Sequence, residues 1–189
     1  MRASVFFAAV TAAVLCHALP AFAQGTTESP LTGFDFYSST VFQEGQTSFS
    51  GLGLRGRVQH SRLVNQVDLL PAVEYWQTNV SALGFRTTRR DAMLGGFARW
   101  TFPTSHAYQP YLGAGLGVHF LHNAVESPDV KLDNDVVRGA VSALAGLAFG
   151  TDQRFGNFVE LEFHNLTGER QLKFNVGMSW NMKVKPAAQ

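Results

Sequence analysis

One stretch near the C-terminus constrains this chain more than any other. Residues 171–183 read QLKFNVGMSWNMK, with Leu172, Phe174, Val176, Met178, Trp180 and Met182 on one parity. Gln171, Lys173, Asn175, Gly177, Ser179, Asn181 and Lys183 occupy the other, and none of these is a large apolar residue. Such two-residue alternation is the signature of a strand with one apolar and one polar face. It outlasts the mean strand length of about 5–6 residues. A tilted strand of about 9–11 residues also spans a bilayer, so the segment is long enough to have its apolar face in lipid and its polar face in a lumen.

The N-terminus predicts export. Arg2 precedes an apolar run over residues 3–19, and Ala21, Phe22 and Ala23 form a small-x-small cleavage site, so residues 1–23 read as a secretory signal peptide. Cys16, the single cysteine, lies inside that segment, so the exported chain has no thiol for a disulfide or a metal centre. The formal charge of +1 becomes zero once Arg2 is removed, which leaves no basic field for nucleic acid. No later stretch is long and apolar enough for a transmembrane helix.

Residues 24–32 are polar and read as a lead-in. Eight strands then follow, over residues 33–42, 49–60, 66–78, 91–102, 109–121, 136–149, 158–165 and 171–183, and residues 184–189 form a polar tail. The second strand faces Arg55 and Arg57 opposite Leu52, Leu54 and Val58. Two arginines directed at a soluble core are unacceptable unless paired, whereas a polar lumen accommodates them. Pro71 is the weak point of the third strand, because it removes a ladder donor. The fifth strand puts Gly113, Gly115 and Gly117 inward, which relieves crowding in a narrow barrel. The sixth is Ala-rich but carries Gly139 and Gly146 and is followed by Gly150, so it reads as a strand. A hairpin loop of Gly168 and Glu169 pairs Phe163 with Phe174, Glu162 with Asn175 and His164 with Lys173, and each pair then shares a side.

An even number of strands with polar ends gives an all-β, eight-stranded antiparallel up-and-down transmembrane barrel over residues 33–183, because closure removes the sheet edges that lipid forbids. With both ends periplasmic, the two longest loops, residues 79–90 and 122–135, lie outside, as such barrels require. Phe34, Phe36, Trp100, Phe102, Tyr108, Phe149, Phe155 and Trp180 collect at the periplasmic rim as an aromatic girdle.

The eight alternating strands, the segment PYLGAGLG at residues 110–117 and the final strand together resemble the small outer-membrane β-barrels of the OmpA/OmpX type and the opacity-protein-like superfamily. Asn175, Gly177, Trp180 and Met182 are similar to the C-terminal signal read by the barrel assembly machinery, although here it stops short of the C-terminus. The first and last outer loops are also shorter than the family pattern, which leaves little adhesive loop surface. The resemblance implies a monomer in the outer membrane of a Gram-negative cell, with outer-membrane lipid, lipopolysaccharide and the assembly machinery as partners. It implies a structural, envelope-integrity or loop-mediated role, and no cofactor.

The lumenal charge network is expected to comprise Arg55, Arg57, Asp68, Glu74, Arg99, Arg138, Glu160, Glu162 and Lys173. An eight-stranded barrel has an interior that side chains fill, so these residues read as a salt-bridged packed lumen rather than a porin-like ion path. His119, Glu162, His164 and Lys173, joined by Arg138 and His122, fall in the outer half, where Lys173 is expected to partner Glu162 or to neighbour His164. His119, Glu162 and His164 are the candidate acid–base groups of an alternative reading, an outer-membrane lipid-modifying hydrolase. The His-x-Ser motif of lipid A hydrolases has no counterpart at His164, and neighbouring His60 and Ser61 point to opposite faces. The chain is therefore expected to be no enzyme, and no metal site is assigned. A second alternative is a periplasmic lipocalin-like binder, which needs an apolar interior and a polar exterior. The GxGxxG match at residues 51–56 lacks a following helix and carries no nucleotide site.

Overall fold

The computed structural model describes residues 31–43, 48–59, 66–82, 85–127 and 131–182. The expected signal peptide, most of the expected lead-in, the turn expected at residues 44–46, His60, Ser61 and the expected C-terminal tail lie outside the described residues.

Eight strands run β1 (Leu31–Gln43), β2 (Phe49–Val58), β3 (Val67–Ala82), β4 (Phe85–Thr101), β5 (Tyr108–Glu126), β6 (Lys131–Phe149), β7 (Phe155–Leu166) and β8 (Glu169–Asn181). Each pairs antiparallel with its neighbours in sequence, and β8 pairs with β1 to close the barrel. The Ala-rich β6 is a strand throughout, and no described residue is helical. The barrel begins at Leu31, two residues before its expected start.

Closure fixes which way every side chain points. On β8, Gln171, Lys173, Asn175, Ser179 and Asn181 are buried, while Leu172, Phe174, Val176 and Met178 are exposed. The same inversion holds around the ring: Arg55 and Glu160 are buried, whereas Leu52, Leu116 and Val141 stand 61–70% exposed. This polarity is opposite to that of a lipocalin-like binder and overturns that alternative. The aromatic girdle forms at the end where β1 starts and β8 finishes. Tyr108 pairs with Phe149, and Trp180 pairs with both Phe34 and Phe155.

Three features differ from the sequence expectation. Residues 79–82, 85–90, 122–126 and 131–135 lie in strands rather than loops, because β3 pairs with β4 up to Ala82 and Phe85, and β5 pairs with β6 up to Glu126 and Lys131. The outward positions there are mostly polar and the inward ones mix Val80, Phe85 and Leu132 with Thr87, Arg89 and Asn134, so the apolar-outward alternation of the other strands is absent. The β7–β8 hairpin turns at Thr167 and Gly168, pairing Glu162 with Lys173 and His164 with Gln171. Gly168 sits at φ +86°, a conformation glycine adopts freely, and this places the turn one residue earlier than expected. The resulting slip is two residues, so every side chain keeps its face. Pro71 lies within β3, and the β2–β3 register skips its position, running from Arg55 with Ala72 to Val58 with Leu69.

The strands are unequal in length, and this shapes one end. Pairing of β2 with β3 runs out at Gly51 and Trp76, and that of β6 with β7 at Ala140 and Leu166. Beyond this level β3, β4, β5 and β6 continue as a four-stranded sheet. Among the described residues no strand pairs with the outer edges of segments 77–82 and 131–139. Val80, Phe85 and Leu132, on the inward parity of this sheet, are 44%, 54% and 63% exposed.

Close packing inside the ring depends on small residues. A Cβ on Gly53 would fall within the ring of Tyr37, whereas one on Gly139 would meet nothing within 4 Å. Gly53→Val is expected to lower stability by about 1–3 kcal/mol through overpacking, and Gly139→Ala to leave it near the parent value. Urea titration of the refolded barrel measures both.

Candidate functional site

The lumen is layered. At the end away from the termini, Glu169 receives Arg89 at 2.5 Å, Arg138 at 2.7 Å and Gln43 at 2.7 Å. Next comes an apolar layer of Val41, Phe49, Trp76, Leu121, Ala140 and Leu166. Two positions further along, five of the same strands place Ser39, Glu74, His119, Ser142 and His164, all buried and polar. The apolar layer thus separates the mouth from a buried polar interior.

Within that interior the charges pair across the barrel. Lys173 Nζ lies 2.9 Å from Glu74 Oε2, and Ser39 Oγ donates to Glu74 Oε1 at 3.1 Å. Arg55 bridges two carboxylates, reaching Glu160 at 2.8 Å and Glu162 by its other terminal nitrogen. Its guanidinium also lies 4.4 Å from the centroid of the Tyr37 ring and 4.9 Å from that of Phe97. Asn175 Nδ2 donates to both Glu160 and Glu162 at 2.9 Å. Nearer the termini, Asp35 receives Arg57 at 3.1 Å and Arg99 at 3.3 Å, and Arg99 also reaches Asp68 at 2.8 Å. Such pairing meets the requirement that buried charge be compensated.

Eight of the nine residues expected in the network pair below the apolar layer, and the ninth, Arg138, pairs with Glu169 at the mouth. Lys173 binds Glu74, not Glu162 or His164, because its ammonium crosses the lumen instead of following its own hairpin. The sequence reading omitted Asp35, Asp91, Arg89 and Glu169. Asp91 and Asp35 lie on the inward parity of their strands, which was the available signal; Glu169 was assigned to a turn and Arg89 to a loop.

His119, Glu162 and His164 come together as anticipated, at 0%, 0% and 1% exposure. They contact one another in sequence: Asp91 Oδ2 lies 2.8 Å from His119 Nδ1, His119 Nε2 lies 3.2 Å from His164 Nδ1, and His164 Nε2 meets Glu162 Oε1. The two imidazole planes are nearly perpendicular, at 89°. Every ring nitrogen is occupied by a neighbour, so none is directed at a substrate. Ser142 pairs with His164 across β6 and β7, yet its hydroxyl, like the amide of Gln171 on β8, has no hydrogen-bond partner among the described residues. His122 does not join the cluster. It projects outward and pairs with Asp135 at 2.7 Å.

In the last strand Asn175 and Gly177 face inward. Trp180 faces outward with its ring 6.2 Å from that of Phe34, and Met182 is exposed just beyond the strand end. The backbone N–H of Met182 donates to Thr32 at 2.9 Å, which extends the β1–β8 seam past Asn181.

Removing one member of a compensated pair leaves the other charged and buried. Lys173→Met is expected to cost about 3–5 kcal/mol, and adding Glu74→Leu should recover most of that loss. A double-mutant cycle by urea unfolding measures the difference.

No protein-family model matches the sequence, and comparison with curated proteins gives no significant match. Solved structures do match in fold. Neisserial surface protein A is 12% identical with a TM-score of 0.59, over 80% of this chain and 96% of that one. Ail, the attachment invasion locus protein of Yersinia pestis, is 14% identical with a TM-score of 0.58, over 79% and 96%. A major outer membrane protein from Thermus thermophilus is 10% identical with a TM-score of 0.58, over 79% and 98%. The fold of this chain is that of the small eight-stranded outer-membrane β-barrels.

Proposed function

We propose that the chain is an integral outer-membrane protein with a closed lumen, acting in the envelope as a structural element and through the sheet that rises beyond its ring. The observation that carries this reading is the inverted polarity of the barrel. Leu112, Leu116, Val141, Leu161, Phe174 and Val176 form an exposed apolar band, while charges are packed inside. An apolar surface of this extent is unstable in water, and lipid solvates it. The export signal and the aromatic girdle support the same location and orientation, with the girdle at the periplasmic rim and the extension outside the cell. In this reading outer-membrane lipid and lipopolysaccharide surround a monomer, and the assembly machinery engages Asn175, Gly177, Trp180 and Met182.

The extension supplies an interaction surface that the short loops lack. It carries exposed apolar side chains at Val80, Phe85 and Leu132, and two strand edges that no strand among the described residues pairs with. Edges of this kind accept an added strand. The reading includes no catalysis: His119, Glu162 and His164 are sealed from water and lipid alike and spend their polar atoms on one another. The lumen conducts no ions, because the apolar layer and the paired charges fill it.

The reading is tested in the native host by fractionation and gel migration. The protein should appear in the outer-membrane fraction and migrate differently in detergent before and after heating. Recovery from the soluble periplasm would overturn it. Leu116→Arg, near the middle of the apolar band, should destabilise the bilayer-inserted barrel by about 2–4 kcal/mol. The same substitution should matter far less at Leu132, which lies on the extension.

A further inference from the structure

The contact chain from Asp91 through His119 and His164 to Glu162 contains more hydrogen bonds than two neutral imidazoles can supply. An ionised carboxylate only accepts, and a neutral imidazole carries a single N–H. The contact with Asp91 requires a proton on His119 Nδ1, and the contact with Glu162 requires one on His164 Nε2. These two protons exhaust both neutral rings. The remaining contact, between His119 Nε2 and His164 Nδ1 at 3.2 Å, needs a third. Without it two bare nitrogen acceptors face each other in a site shielded from water, which costs the desolvation of both.

The surrounding charges point the same way. His119 faces Asp91 on β4, Arg138 on β6 and His164 on β7. His164 is flanked by Glu162 on its own strand, Ser142 on β6 and Gln171 on β8. Glu74 on β3, Lys173 on β8, Arg55 on β2 and Tyr37 on β1 complete the shell. Arg138 is committed to Glu169 in the outer layer. Arg89 shares Glu169 with Arg138 and so leaves one positive charge over in the outer layer, while Glu74, Asp91, Glu160 and Glu162 meet Lys173 and Arg55, and the balance across all these groups is one positive charge short.

We propose that the barrel interior holds a proton-binding site, in which one proton beyond those of two neutral imidazoles is shared along Asp91, His119, His164 and Glu162. The ligand is the proton itself. When it is bound, all three contacts are made. When it leaves, the contacts to Asp91 and Glu162 persist, and the one between the two imidazoles becomes a facing pair of acceptors and opens. The folded barrel binds this proton more tightly than the unfolded chain does. Its stabilising effect is therefore full at acidic pH and disappears as pH rises through the value at which the relay releases it.

The test is nitrogen NMR of the full chain, with labelled histidine, refolded in detergent micelles and titrated from pH 6 to 9. At pH 7 His119 and His164 should together show three protonated ring nitrogens, and both rings should lose the third in one shared step. One protonated nitrogen on each ring at pH 7, or two independent steps near pH ~6.5 as for free histidine, would overturn the proposal. Urea unfolding of His164→Gln provides a second readout. The unsubstituted barrel should lose stability between pH 6 and 9 by a margin that the variant does not show, and equal pH dependence would count against the site. If the variant fails to refold, the titration of the unsubstituted chain decides alone. Neither measurement depends on which membrane the protein occupies, so its failure is separable from failure of the proposed location.

Discussion

Charge placed inside a closed ring of eight strands must be compensated within that ring, and this requirement organises the molecule. Arg55 shows it most directly. It projects from β2 across the lumen, is held by Glu160 and Glu162 from β7, and is stacked against Tyr37 from β1 and Phe97 from β4. One side chain thus links four strands. Lys173 and Glu74 link β8 to β3, and Asp35 gathers Arg57 and Arg99 near the termini. Buried ion pairs of this kind contribute little net stability against an apolar core of the same shape, but breaking one is costly. They therefore specify the closed arrangement and disfavour alternatives in which a partner is displaced.

Because the interior is polar, the exterior must supply the apolar surface, and in the proposed location lipid takes the place of a hydrophobic core. Backbone hydrogen bonds within the ring are made between neighbouring strands, and closure through β1 and β8 leaves no edge at that level. Above the ring that restriction lapses. The continuation of β3 to β6, whose edges have no strand partner among the described residues, is compatible with water, where free backbone groups are solvated. Strand length thus follows solvent: paired and closed within the apolar band, open beyond it.

The alternation of residues 171–182 contained the polarity of the whole barrel, and the parity of each strand was legible because a buried charge opposite an exposed leucine admits one orientation. Extent was less legible. In segments 79–90 and 122–135 both faces carry polar residues, so periodicity vanishes although residues 79–82, 85–90, 122–126 and 131–135 are in strands. Register was legible only modulo two: a turn at Thr167 and Gly168 preserves the same faces as one at Gly168 and Glu169. The candidate site shows the same limit. Parity placed Lys173, Glu74, His119 and His164 inside, but contacts across a lumen depend on strand tilt and side-chain reach, which no local pattern encodes. Hence the carboxylate that Lys173 meets differs from the one its hairpin suggests, and Asp91, which completes the histidine relay, carries no local mark of that role.

The apolar face of β8 lies in lipid, on this account, while the extension of β3 to β6 lies in water outside the cell. Labelling of intact cells with a membrane-impermeant maleimide tests this most directly, using Phe174→Cys and Arg86→Cys in separate proteins. The sole native cysteine, Cys16, falls in the segment expected to be removed on export. The account predicts rapid labelling of Arg86→Cys and none of Phe174→Cys until the membrane is dissolved and the barrel unfolded. Equal labelling of the two in intact cells would contradict it.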